Sequence, residues 1–132
     1  MVPREALIYS YRRASYEQHS GPRLLVDLCR KAVRDVAEAR EAVDVTTRRE
    51  QLAHARQIVL FLQESLSLET GGSLAVELFR HYTYLIQRLA VAEIAAEPAD
   101  LDTLQAKLET LRNTWAEAVR DYEEEQHVQH SA

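Results

Sequence analysis

Apolar residues recur along most of this chain at alternating intervals of three and four, the repeat of one α-helical face. From Pro22 to about Val43 that face carries Leu25, Leu28, Ala32, Val36, Ala39 and Val43, widened by Leu24, Cys29 and Val33. A second segment carries Leu52, Ala55, Ile58 or Val59, Leu62 and Leu66. A third carries Leu74, Leu78, Tyr82, Leu85, Leu89, Ala92 and Ala96. In the fourth, Leu101, Leu104, Leu108, Leu111, Trp115, Ala118 and Tyr122 form a heptad-like seam.

The punctuation between these segments is chemically legible. Ser20-Gly21-Pro22 opens the first helix, since a proline there gives up only an N–H that has no intrahelical partner. Asp44-Val45-Thr46 ends it. Thr47 and Glu50 have capping-box spacing, which puts the second start near Thr47. Gly71-Gly72 breaks the pattern before the third helix. Glu97-Pro98-Ala99 ends that helix, and Asp100 is suited to cap the fourth. Short connections make successive helices antiparallel. The expectation is therefore an all-α fold, an antiparallel up-down-up-down four-helix bundle over residues 20–124. Residues 1–19 form an N-terminal arm or short helix, and residues 125–132 a loose polar tail. The arm holds Leu7, Tyr9, Tyr11 and Tyr16, which gain from lying on the bundle.

The middle helices carry more apolar surface than one core consumes. Val76, Phe79, Thr83, Ile86, Ala90 and Ile94 make a second stripe on the third helix, and Ile58 to Leu62 is apolar all round. Both helices are thus expected to be buried on more than one side. The surplus needs the chain's own arm, a second copy or a partner to cover it. An apolar groove accepting a client helix is one recognised use of such a surface.

Composition narrows the function. The 132 residues fit one domain with one core, and only 3 Gly and 3 Pro suit long helices. A net charge of −5 without a basic block argues against nucleic acid. No apolar run approaches the roughly 18 residues of a membrane span. The first residues lack a secretory apolar core, and the single Cys29 suits a reducing cytosol, so the expected location is cytoplasmic.

Catalytic chemistry is hard to place on this chain. Phosphate-binding glycine loops and nucleophile elbows are missing. Cys29 lies on an apolar face and reads as a small inert hydrophobe. Glu50 with His54, and Glu77 with His81, are i,i+4 pairs. Di-iron bundles use Glu-x-x-His at i,i+3, so these pairs read as solvated helix neighbours. The remaining His19, His127 and His130 lie outside the bundle pattern. No catalytic residue, metal or cofactor is expected, and Trp115 reads as a core anchor.

An ordered set of short matches then points to a family. Leu66-Ser67-Leu68-Glu69 with Gly71-Gly72 is similar to Ser-Leu-Asp-x-x-Gly-Gly. Leu78, Tyr82 and Tyr84 with Arg88-Leu89 resemble Leu-Tyr-Asp-Tyr-Met followed by Arg-Arg-Leu. Leu111-Arg112 and Trp115 match Leu-Arg-x-x-Trp, and Tyr11 stands where an N-terminal Tyr precedes a turn proline. From about Tyr11 to Ala118 the chain resembles the flagellar export chaperones of the FliS type. It departs from them at Leu28-Cys29-Arg30-Lys31, at Thr83 in place of Asp, at Ala92-Glu93 in place of Ala-Asn, and in the position of Pro22.

The resemblance implies a non-enzymatic cytoplasmic chaperone. It would bind the disordered C-terminal segment of flagellin in apolar grooves, block premature assembly and deliver the subunit to the export gate. The residues expected to contact that client are Tyr11, Leu24, Leu28, Cys29, Val76, Phe79, Tyr82, Thr83 and Ile86. The expected oligomeric state is a monomer or weak homodimer. The alternative is a structural or regulatory bundle that dimerises through its surplus faces.

Overall fold

The computed structural model describes residues 22–95 and 97–131, so the arm, Tyr11 included, lies outside the described residues. Four helices follow in order: α1 over Arg23–Glu41, α2 over Val45–Glu64, α3 over Leu68–Ala95 and α4 over Pro98–Ser131. There is no strand among the described residues. The fold is an all-α four-helix bundle.

Helix boundaries follow local chemistry, with corrections to the sequence reading. Asp44, not Thr47, caps α2: its Oδ1 accepts from the Thr47 N–H at 2.6 Å. This bond holds the Asp44 carboxyl below its ordinary range. Asp100 sits in the first turn of α4, which already begins at Pro98. Its charge there complements the helix N-terminus. The residues expected to form a loose tail continue α4 as helix to Ser131. Val43, placed by periodicity on the core face, is fully exposed. α1 has ended at Glu41 and Ala42 is extended, so Val43 no longer follows the helical repeat.

The core is assembled from the predicted stripes. Leu25, Ala32, Val36 and Ala39 of α1 meet Leu52, Ala55, Val59 and Leu62 of α2. Tyr82, Leu85 and Leu89 of α3 join Leu104, Leu108, Leu111 and Trp115 of α4. Between the two candidates on α2, Val59 is buried and Ile58 only partly so. Among the described residues, four core members lie off those stripes: Val26, Ala75, Val119 and Asp35, the last completely buried. Asp35 Oδ1 accepts from Lys31 Nζ at 2.5 Å, while Oδ2 has no hydrogen-bond partner among the described residues.

Cross-helix polar contacts record the antiparallel order. Arg23 pairs with Glu123 at 2.7 Å at one end of α1, and Arg40 with Asp102 at the other. Arg56 grips Glu93 through Nε at 2.6 Å and Nη2 at 3.3 Å, tying α2 to α3. The exposed pairs fix register more than stability, since each is worth at most ~1 kcal/mol.

The packing is uneven around the bundle. α1 packs closely on α2 and α4, and α2 on α3, but α3 and α4 meet at few points. Long side chains span that last seam. The Lys107 ammonium lies 5.4 Å from the Tyr84 ring centroid, and Arg88 lies 3.5 Å from Asp100. α3 is therefore an edge helix, and not buried on more than one side as its two apolar stripes suggested. Val76, Phe79 and Ile94 of its second stripe, and Phe61 of α2, are exposed.

Candidate protein-binding site

The second stripe of α3 forms the wall of an apolar groove. Leu68, Val76, Phe79, Arg80 and Thr83 line an open cleft of about 430 Å³. Leu68 is 49% exposed, and Val76 and Phe79 are each 40% exposed. Side chains of this kind gain roughly 1.5–3 kcal/mol on full burial, so the exposed fraction leaves about 1 kcal/mol per side chain for a partner.

A backbone break shapes the groove. Gly72 interrupts α3 with φ +58° and ψ −138°. Side-chain-bearing residues rarely adopt this conformation, and Gly72 takes it with open space around its Cα. The turn before it is closed by the Gly71 N–H on the Ser67 carbonyl at 2.9 Å. The break lets Leu68, from before the kink, stand beside Val76 and Phe79 from after it.

The groove wall is held by one amide. Gln63 Nε2 of α2 donates to the Phe79 carbonyl at 3.0 Å and to the Thr83 hydroxyl at 2.6 Å. The Thr83 hydroxyl in turn donates to the Phe79 carbonyl at 2.9 Å. A Ser or Thr hydroxyl returning to the carbonyl four residues back is a familiar alternative to solvent exposure. Here it keeps the polar atoms of the wall satisfied among themselves, so the groove presents carbon.

The expected contact residues divide. Val76, Phe79 and Thr83 come together in the groove. Ile86 is half-buried and packs against the core. Leu24 and Leu28 are half-buried on α1 and do not line the groove. Tyr82 and Cys29 are core residues, at 0% and 1% exposure, which corrects their placement at a contact surface. Each lies on the inward side of its helix, Tyr82 with Leu85 and Leu89, Cys29 with Ala32 and Val36. Burial pushes the Cys29 thiol up to about 12, against the pull of Arg112. It is protonated at neutral pH, whereas the thiolate is the nucleophilic form. Leu68 and Arg80 were missed. Leu68 lies outside the periodic stripe and reaches the site only through the Gly72 break. Arg80 also lines the cleft, and a charged residue is marked by no hydropathy pattern.

Other titratable groups do not converge. No group of three or more His, Cys, Asp or Glu is placed to hold a metal among the described residues. His81, from one of the two Glu/His pairs, is held below its ordinary range first by burial and then by the nearby Lys107 charge.

The bundle thus carries an apolar groove along one edge helix that is kinked at Gly72. A family model described as flagellar protein FliS matches residues 5–122. The chain belongs to the FliS family. Membership supports a flagellar chaperone role, and the match takes in all of α1, α2 and α3 and most of α4. A comparison with curated protein sequences finds no match. No helix among the described residues is long and apolar enough to cross a membrane. Thr83, one of the positions where the sequence departs from the resemblance, has a partner in Gln63.

Proposed function

We propose that this FliS-family protein is a cytoplasmic secretion chaperone whose α3 groove takes the disordered C-terminal segment of flagellin. The observation that carries the reading is the run of exposed Leu68, Val76 and Phe79 beside an internally satisfied polar wall. An amphipathic client segment folding into such a groove presents anchors at helical spacing. Ordering a disordered client opposes binding, so a wide apolar contact is needed to offset it. Occupying the segment keeps the subunit from polymerising before it reaches the export gate. Nothing in this role calls for catalysis, and the groove gathers no acid, base or nucleophile.

Calorimetry with the isolated C-terminal flagellin segment tests this directly. One-to-one binding with a negative heat-capacity change is expected, because apolar surface leaves water. Phe79→Asp should abolish it while leaving the melting temperature nearly unchanged, since Phe79 is not part of the core. Absence of binding to the unmodified protein at high micromolar concentration would remove flagellin as the client.

A further inference from the structure

The opposite side of the bundle carries a different kind of surface. Along the α1/α4 seam, Arg30 and Arg34 of α1 face Arg112 and Asn113 of α4 across an open cleft of about 660 Å³. A second cleft continues it past Arg120 to Arg23 and Glu123. Arg23 is committed to Glu123 at 2.7 Å; Arg30 stays largely exposed and lies 3.8 Å from Asp27, a carboxylate that lines both clefts, at the long limit of an ion pair. Arg34, Arg112 and Arg120 make no ion pair among the described residues, though Arg112 Nε reaches the Asn113 side chain at 3.2 Å. The seam is thus locally cationic on a chain of net charge −5.

We infer that this seam is a docking strip for an acidic segment of a partner protein, separate from the apolar groove. Guanidinium groups accept carboxylates as planar, two-pronged partners, and free ones on a concave surface are suited to that. The spacing fits a peptide. Arg30 and Arg34 are one turn apart, a rise of about 6 Å. Alternate side chains of an extended strand repeat at roughly 6.6 Å. A Glu-x-Glu stretch therefore places successive carboxylates against successive arginines, with Arg112 and Arg120 closing the other wall. A nucleic acid is the poorer fit, since a long polyanion also meets the acidic remainder of the surface. A second copy of the chain is disfavoured by the same net charge.

The test uses the full chain and a short peptide of alternating Glu and Ser, with a Gln-Ser peptide and oligothymidylate as comparisons. The Glu-Ser peptide should bind at low salt and weaken steeply as salt rises, and the Gln-Ser peptide should not bind. Arg34→Gln combined with Arg112→Gln should cost about tenfold or more in affinity, as for lost charge-assisted hydrogen bonds. The same variant should keep its helical content and its affinity for the flagellin segment, so this inference and the groove reading fail separately. In the unmodified protein, amide shifts should move at Arg34, Arg112 and Asn113 and stay fixed at Val76 and Phe79. Equal peptide affinity of variant and parent, shifts confined to α3, or oligothymidylate binding as tightly as the acidic peptide would overturn the inference.

Discussion

Gln63 of α2 and Thr83 of α3 are joined by a 2.6 Å hydrogen bond that closes the wall of the apolar groove. Both atoms also engage the Phe79 carbonyl, so three polar groups satisfy one another and none is left facing the client. Thr83→Val removes the acceptor for Gln63 while keeping the shape. It should cost about 0.5–1.5 kcal/mol of stability, the usual net worth of such a bond. Client affinity should hold or rise, because the groove becomes more apolar. Melting curves and calorimetry on the variant check this, and a clear loss of client affinity with stability kept would show that the client itself uses the Thr83 hydroxyl.

Trp115 is wholly buried on the α4 seam. Trp115→Ala should lower stability by on the order of 3–5 kcal/mol, as for other large-to-small core changes. Denaturant unfolding measures it. The folded fraction should still bind client, because Trp115 is buried and does not line the groove; loss of binding with unchanged stability would move Trp115 to the contact surface.

Gly72→Ala should be destabilising even though its Cβ would meet nothing within 4 Å. The cost is backbone strain at φ +58°, on the order of 1–3 kcal/mol for a non-glycine residue held there. If the chain relaxes instead, Leu68 leaves its place beside Val76 and client affinity falls. Thermal melting read together with calorimetry separates the two outcomes, and a variant unchanged in both would show that the kink is not required.

His81 links stability to acidity. Its folded value is lowered from 6.5, chiefly by burial, so the unfolded chain takes up the proton first as pH falls. The stability held by the neutral form is complete above the unfolded value. It is lost as pH drops from about 6.5 towards the lower folded value, and the loss is complete below it. His81→Gln should therefore lose less melting temperature than the parent between about pH 7.5 and about pH 5. Equal losses would mean that His81 does not titrate differently in the fold.

Periodicity at three and four determined the all-α class, the four helices and most core positions, though it missed Val26, Ala75 and Val119 and misplaced Val43. An apolar stripe on a helix has one place to go when the connections are short and the neighbours antiparallel. Leu104, Leu108, Leu111 and Trp115 needed no coordinates to be read as core. The same logic marked Val76 and Phe79 as surplus, because a second stripe cannot share the first stripe's core. What it could not decide was which helix stands at the edge. That depends on how evenly the helices close, and here α3 and α4 meet at few points. So the second stripe of α3 became a surface, while Tyr82 and Cys29 went inward. Capping was ambiguous for a local reason: Asp44 and Thr47 are both good caps, and only the realised backbone shows which accepts from which. Leu68 reached the groove through the Gly72 break, and the α1/α4 arginines were brought together from segments far apart in the chain. Contacts of that kind come from the way helices pack, which no single helix's pattern contains.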